Sequence, residues 1–264
     1  MPHAGVDPAC LGQINIDTKR KVFMSKIKEI EIAPAFIMAS LLSSYPDEDV
    51  VANVSIILED AEMSLRGNPT LRQSFEPLVK NVKHVFNDRI ALEDLRSEYI
   101  DIFDRGRHVT SLYETEYGRE RAMVKGPQLV DIAGFYRSFG FEMGGDGVAA
   151  EMLDHVSVEL SFYALLCLKY NALEELKDQE GMEIVIDGRK KFLQAHLGRF
   201  IGAIGDRPGV QESPYFSSVF QFCKVLVMNE CERLEVEVEP EGWLSPPVVV
   251  DEISCGGSVG ITPC

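Results

Sequence analysis

Apolar residues recur at helical spacing along nearly the whole chain. Val50, Val51, Val54, Ile57, Leu58, Ala61 and Leu65 follow the i, i+3, i+4, i+7 repeat of an amphipathic helix. Gly67 ends that run. Asn68-Pro69 then supplies a capping side chain and a first-turn proline for a second helix, whose stripe is Leu71, Phe75, Leu78, Val79, Val82, Val85 and Phe86. A third stripe is Leu92, Leu95, Tyr99, Ile102 and Phe103, and an earlier helix is predicted from Pro34 to about Ser44, before the Tyr45-Pro46 break. From Asp104 to Pro127 glycines and charges interrupt the pattern, which reads as a loop. Helix resumes after Gly126-Pro127 with Leu129, Ile132, Ala133, Tyr136 and Phe139, and Gly140 suits the position just past its end.

The glycine-rich stretch from Phe141 to Met152 reads as another loop. The segment from Asp154 to about Tyr170 is apolar on more than one face, with Val156, Leu160, Tyr163, Ala164 and Cys167 on one side and Val158, Phe162 and Leu165 on another. A helix apolar most of the way round belongs at the centre of a bundle. Two further helices carry Leu193, Leu197, Phe200, Ile201 and Ile204, and then Phe216, Val219, Phe220, Cys223, Leu226, Val227 and Leu234. The run Glu235–Glu239 alternates like an isolated short strand. The pattern as a whole predicts an all-α fold: a single-domain bundle of about eight helices over residues 19–239, with irregular tails at 1–18 and 240–264.

Charge narrows the partners. Lys and Arg total 26 against 42 Asp and Glu in 264 residues, a formal charge of −16. Such a balance disfavours nucleic acid and anionic membranes, which need clustered cations. It favours a basic partner, although high charge also serves solubility alone. No run of 18 apolar residues predicts a membrane span, and the N-terminus does not read as a secretory signal, so a cytoplasmic setting is expected. The six cysteines, Cys10, Cys167, Cys223, Cys231, Cys255 and Cys264, form no CxxC pair. Cys167, Cys223 and Cys231 fall on apolar stripes and read as buried free thiols.

The sequence has no Glu-x-x-His, HExxH, GxxxxGK[ST] or GxGxxG motif. The five histidines suggest no ligand set. His196, between apolar positions of a helix, reads as a surface or satisfied residue. No metal, cofactor or catalytic residue is assigned. Two polar clusters stand out instead. One is Asp104-Arg105-Gly106-Arg107 with Glu114, Glu116, Tyr117 and Gly118; read blandly, it is a solvated loop with local ion pairs. The other is Asp154-His155 at the mouth of the most apolar helix, with Glu159 one turn further on. Asp154 there suits a helix cap, and a polar edge beside an apolar groove suits a peptide that is both basic and apolar.

These clusters carry a resemblance. Tyr99 to Phe103, followed by Asp104-Arg105-Gly106-Arg107 and Ser111-Leu112, resembles the signature of the NarJ branch of the NarJ/TorD/DmsD family. Leu153-Asp154-His155 and Glu159-Leu160 are similar to that family's Pro-Asp-His motif and the Glu-Leu after it, with Leu153 where the family usually has proline. Leu129 to Phe141 also looks family-like, and the resemblance spans about residues 33 to 234. It implies a helical, non-catalytic assembly chaperone that binds the immature catalytic subunit of a complex iron–sulfur molybdoenzyme. Such a chaperone keeps its client open to the molybdenum cofactor and, in many members, reads a twin-arginine signal peptide to delay export. On that reading Glu114, Glu116, Tyr117, Asp154, His155 and Glu159 are the candidate peptide contacts, with Asp104, Arg105 and Arg107 organising the loop. His155 has a side chain able to titrate near neutrality. Phe103, Phe135 and Tyr136 read as core. Two alternatives stay open: a small-molecule or nucleotide-binding enzyme using Gly144–Gly147, and a helical adaptor without chaperone activity.

Overall fold

The computed structural model describes residues 32–104, 110–118, 121–142 and 151–239. The expected tails, the Gly144–Gly147 run, Arg105 and Arg107, and Cys10, Cys255 and Cys264 lie outside them. Helix α1, Ala33–Leu42, is almost entirely apolar and buried, and packs on α2 (Glu48–Ser64) and on the later helix α6 (Val156–Leu176). Asp47 caps α2 by accepting the Val50 N–H at 2.8 Å, and Glu48 and Asp49 follow in the first turn, where the helix dipole favours acids. Asn68 caps α3 (Pro69–Phe86), as its position before Pro69 predicts. Helix α4, Arg89–Tyr99, runs on as a π-helical turn, Ile100–Asp104.

Helix α5, Arg121–Ser138, starts earlier than the sequence suggests, and Pro127 lies inside it. Gly126 and Pro127 face solvent, so the hydrogen bond that proline removes is lost where water can replace it. Gly140 follows with φ +63°, the left-handed stop expected of it. Helix α7, Gln179–Phe192, escapes the apolar reading because much of its surface is exposed and charged. The stretch expected as a separate helix at Leu193 is its continuation through a π turn, Leu193–Leu197, into α8 (Gly198–Gly205). Short α9, Pro208–Glu212, leads to α10, Pro214–Leu234. The strand expected at Glu235–Glu239 is not formed: Glu235 turns the chain at φ 56° and residues 236–239 are irregular. Among the described residues the only β feature is an isolated bridge between Tyr113 and His155.

The fold is therefore an all-α bundle with α6 and α10 at its centre. Helix α10 packs on α3, α8 and α1, and α6 packs on α1 and α7. Phe162 of α6 meets Tyr136, Phe139, Phe141 and Phe192 at ring separations of 4.7–6.1 Å, tying α5 and α7 to the centre. Phe103 and Tyr136 are buried and Phe135 packs partly buried against the core, as read from the sequence. Cys167, Cys223 and Cys231 are free and buried. Away from the clusters named above, Arg189 and Glu230 form a fully buried ion pair between α7 and α10. Tyr163 and Arg233 complete its hydrogen bonds.

Candidate functional site

The loop at residues 110–118 lies antiparallel against the start of α6. The Glu114 N–H donates to the Asp154 carbonyl at 2.8 Å, and the Val156 N–H donates to the Leu112 carbonyl at 2.9 Å. Residues Glu114–Glu116 form a single 3₁₀ turn. Two side chains then clip the loop in place. Thr115 Oγ1 donates to Asp154 Oδ2 at 2.6 Å, with its N–H at 3.3 Å from the same oxygen. Tyr117 donates its hydroxyl to the Ser111 carbonyl and stacks on Phe200 at 5.1 Å. Asp154 is thus a loop clip rather than the expected helix cap. The cap is His155, whose Nδ1 accepts the Ser157 N–H at 3.2 Å and lies 2.7 Å from Ser157 Oγ. Accepting that bond fixes the ring proton on Nε2. Burial lowers the His155 pKa to about 4 against the charges of Asp154 and Asp104, so the ring is neutral at pH 7 rather than poised near neutrality.

Behind the loop sits a buried charge cluster. The Glu114 carboxylate has no solvent exposure. It accepts from Gln128 Nε2 of α5 at 2.6 Å, and both its oxygens lie 3.1–3.2 Å from His196 Nδ1. The other nitrogen of His196 reaches Asp131 Oδ2 at 3.1 Å. Burial opposes a charge on His196, but hydrogen bonds and the negative charges of Glu114 and Asp131 outweigh it and hold its pKa above the usual value. An imidazolium donating from both nitrogens therefore bridges the loop to α5.

Glu159, one turn into α6, is fully buried and neither of its oxygens reaches a hydrogen-bond partner. Burial, then the charges of Glu114 and Asp154, push its pKa well above the carboxylate range, so it is held protonated. Asp154 Oδ1 is likewise buried without a partner.

The structure brings five of the six candidate contacts, Glu114, Tyr117, Asp154, His155 and Glu159, into this one buried assembly, and leaves Glu116 partly exposed beside Lys125 at 2.7 Å. No outside molecule reaches Glu114 or Glu159 unless the loop moves. Asp104 is exposed at the end of the π turn. Local spacing does not single out Thr115, Gln128 or Asp131, and it offers His196 no charged partner. One signal was present: a lone ionisable group among Phe192, Leu193, Leu197 and Phe200 calls for a buried counter-charge.

In front of the loop a cleft of about 120 Å³ opens, lined by Tyr45, Tyr99, Phe103, Asp104, Leu112, Tyr113, Glu151 and His155. Tyr113 donates to Glu151 Oε2 at 3.1 Å and lies edge-on to His155 at 5.1 Å. Pockets for small molecules run from roughly 300 Å³ upward, so this cleft takes the tip of a side chain rather than a nucleotide. Taken together, the arrangement is a loop pinned by buried ions at the edge of an acid-rimmed cleft.

Among the described residues no helix is long and apolar enough to cross a membrane. No curated protein matches the chain. A family model described as nitrate reductase delta subunit matches residues 68–205, which run from the cap of α3 to the end of α8 and contain the loop, Asp154-His155, Glu159 and His196. The chain belongs to the nitrate reductase delta subunit family, the NarJ-like chaperones of molybdoenzyme assembly.

Proposed function

We propose that this protein acts in the cytoplasm on the immature catalytic subunit of a complex iron–sulfur molybdoenzyme. It receives a basic and apolar N-terminal segment of that subunit, a twin-arginine signal peptide or its remnant, and delays export until the molybdenum cofactor is in place. The observation that carries the reading is the 110–118 loop, held by the Glu114–His196 and Thr115–Asp154 contacts against the start of α6. That loop lies within the family match. In this proposal Glu114, Asp154, His155 and Glu159 act as the support that sets the loop's position, while Glu116 and the cleft rim meet the peptide. The surplus of acids steers a cationic segment inward over a Debye length of about 8–10 Å.

The test is capture. The tagged protein is used to pull down the molybdoenzyme from cells that make the molybdenum cofactor and from cells that cannot. A chaperone enriches the cofactor-free subunit and releases the loaded one. Equal capture of both forms would mark an adaptor and sink the proposal. Capture that survives deletion of the client's first residues would remove the signal-reading part alone.

A further inference from the structure

Resting on that reading, we infer that the cleft beside Tyr113 is a pocket for one guanidinium group of the bound peptide. Three features of the cleft select that chemistry. Its walls are aromatic: Tyr45, Tyr99, Phe103 and Tyr113. Tyr45 and Tyr99 stand edge to face at 5.4 Å, and Tyr99 and Phe103 are tilted at 4.9 Å. Ring faces attract a cation that sheds part of its water, and a planar guanidinium stacks on them better than an ammonium does.

The rim carries two carboxylates, Asp104 and Glu151, and among the described lining residues there is no lysine or arginine. Tyr113 fixes Glu151 through Oε2, which leaves Oε1 to accept from a ligand. A fork of N–H donors fits such an acceptor. The floor holds His155, only 1% exposed, whose Nε2 has Glu151 Oε2 4.0 Å away, beyond hydrogen-bond reach. Burial keeps the ring neutral, with Nδ1 accepting from the Ser157 N–H, so it does not compete as a resident cation.

The field in the cleft agrees. The Tyr113 hydroxyl is pushed up to about 12 by burial first, and then by the charge of Glu151, with Asp104 adding to it. Size agrees as well, since the cleft admits a side-chain tip and excludes a nucleotide. The pocket therefore reads one arginine of the client segment, while the rest of the segment lies outside it.

N-acetyl-L-arginine amide and its neutral isostere N-acetyl-L-citrulline amide are the probes, titrated into the full chain and followed by tyrosine-ring NMR signals. The pocket predicts saturable, millimolar binding of the arginine probe that shifts Tyr99 and Tyr113, with citrulline at least tenfold weaker. Asp104→Asn with Glu151→Gln lowers arginine affinity at least tenfold at unchanged melting temperature, because both side chains sit at the rim. Equal binding of the two probes, no saturable binding, or arginine binding indifferent to the double variant each overturns the assignment. The chaperone reading fails separately. Wild-type protein that captures its client yet ignores arginine loses the pocket only, and protein that binds arginine yet captures no client loses the chaperone only.

Discussion

Replacing His196 with alanine tests whether the loop is held by a buried charge. Glu114 has no solvent exposure, and His196 is its only cationic neighbour among the described contacts. Stranding one partner of a buried ion pair costs about 3–5 kcal/mol. The Asp131 side of the bridge adds little, because that carboxylate is 62% exposed and surface pairs are worth at most about 1 kcal/mol. Gln128 still donates to Glu114 in the variant, which places the loss near the lower figure, about 3 kcal/mol. For a domain of this size that lowers the melting temperature by about 10 °C.

The pH dependence identifies the cause. A histidine whose folded pKa is raised contributes its full stability below its unfolded pKa, and the contribution fades as pH rises through the folded value. Urea denaturation of wild type and His196→Ala should therefore show the largest gap near pH 6 and a smaller one near pH 9. A gap below about 1 kcal/mol at pH 6, or one that does not narrow at alkaline pH, would refute the ion-pair account. Asp131→Asn should cost less than about 1 kcal/mol at either pH.

Other substitutions probe the frame around the site. His155→Asn keeps a capping side chain and removes the titration. Wild-type stability should then fall by up to about 3 kcal/mol more than the variant's as pH drops from about 6.5 to the folded value of about 4, read by denaturation at stepped pH. Glu230→Gln removes the carboxylate charge that faces the fully buried Arg189 and should cost about 3–5 kcal/mol in the same assay. The wild-type pair should weaken only in acid: the charges of Arg189 and Arg233 overcome burial to hold Glu230 at about 2, so its contribution is lost as pH falls from about 4.5 toward that value. Gly198→Ala places a Cβ 2.4 Å from the Leu193 carbonyl oxygen at the π turn, where backbone must shift, and should lower the melting point by an amount equivalent to about 1–3 kcal/mol.

The fold was largely legible because a bundle is written in local periodicity. Asn68-Pro69 and Gly140 each do what their residue types predict. The misses share one cause, which is information that is not local. Helix α7 buries little beyond Val185, Gly188, Arg189 and Phe192, so its apolar stripe is too thin to read. Pro127 looked like a start because its cost as an interior residue depends on which face meets water. Asp154 looked like a cap because capping ability belongs to the residue, whereas its actual partner, Thr115, is 39 residues away in sequence. The site followed the same division. Spacing along α6 put Asp154, His155 and Glu159 together, but the pairing of Glu114 with His196 spans 82 positions and only the folded chain reveals it.

That pairing changes what the charge of −16 can be used for. Glu114 is neutralised by His196 and Glu159 is held protonated, so these two acids contribute little to the field a peptide meets. Attraction at a distance must come from carboxylates open to solvent, such as Asp49, Glu59, Asp60 and Glu62 along α2 and Asp104 and Glu151 at the cleft. The two sets answer to different perturbations. Exposed acids are screened by salt, so raising ionic strength should slow peptide association and leave the fold intact. The buried set is shielded from salt and responds to loss of a partner, so its variants should loosen the loop and raise the dissociation rate instead. Measuring both rate constants of one basic peptide across a salt series, for wild type and His196→Ala, separates steering from support. If salt and the His196 variant change the same rate constant, the division of labour between surface and buried acids is wrong.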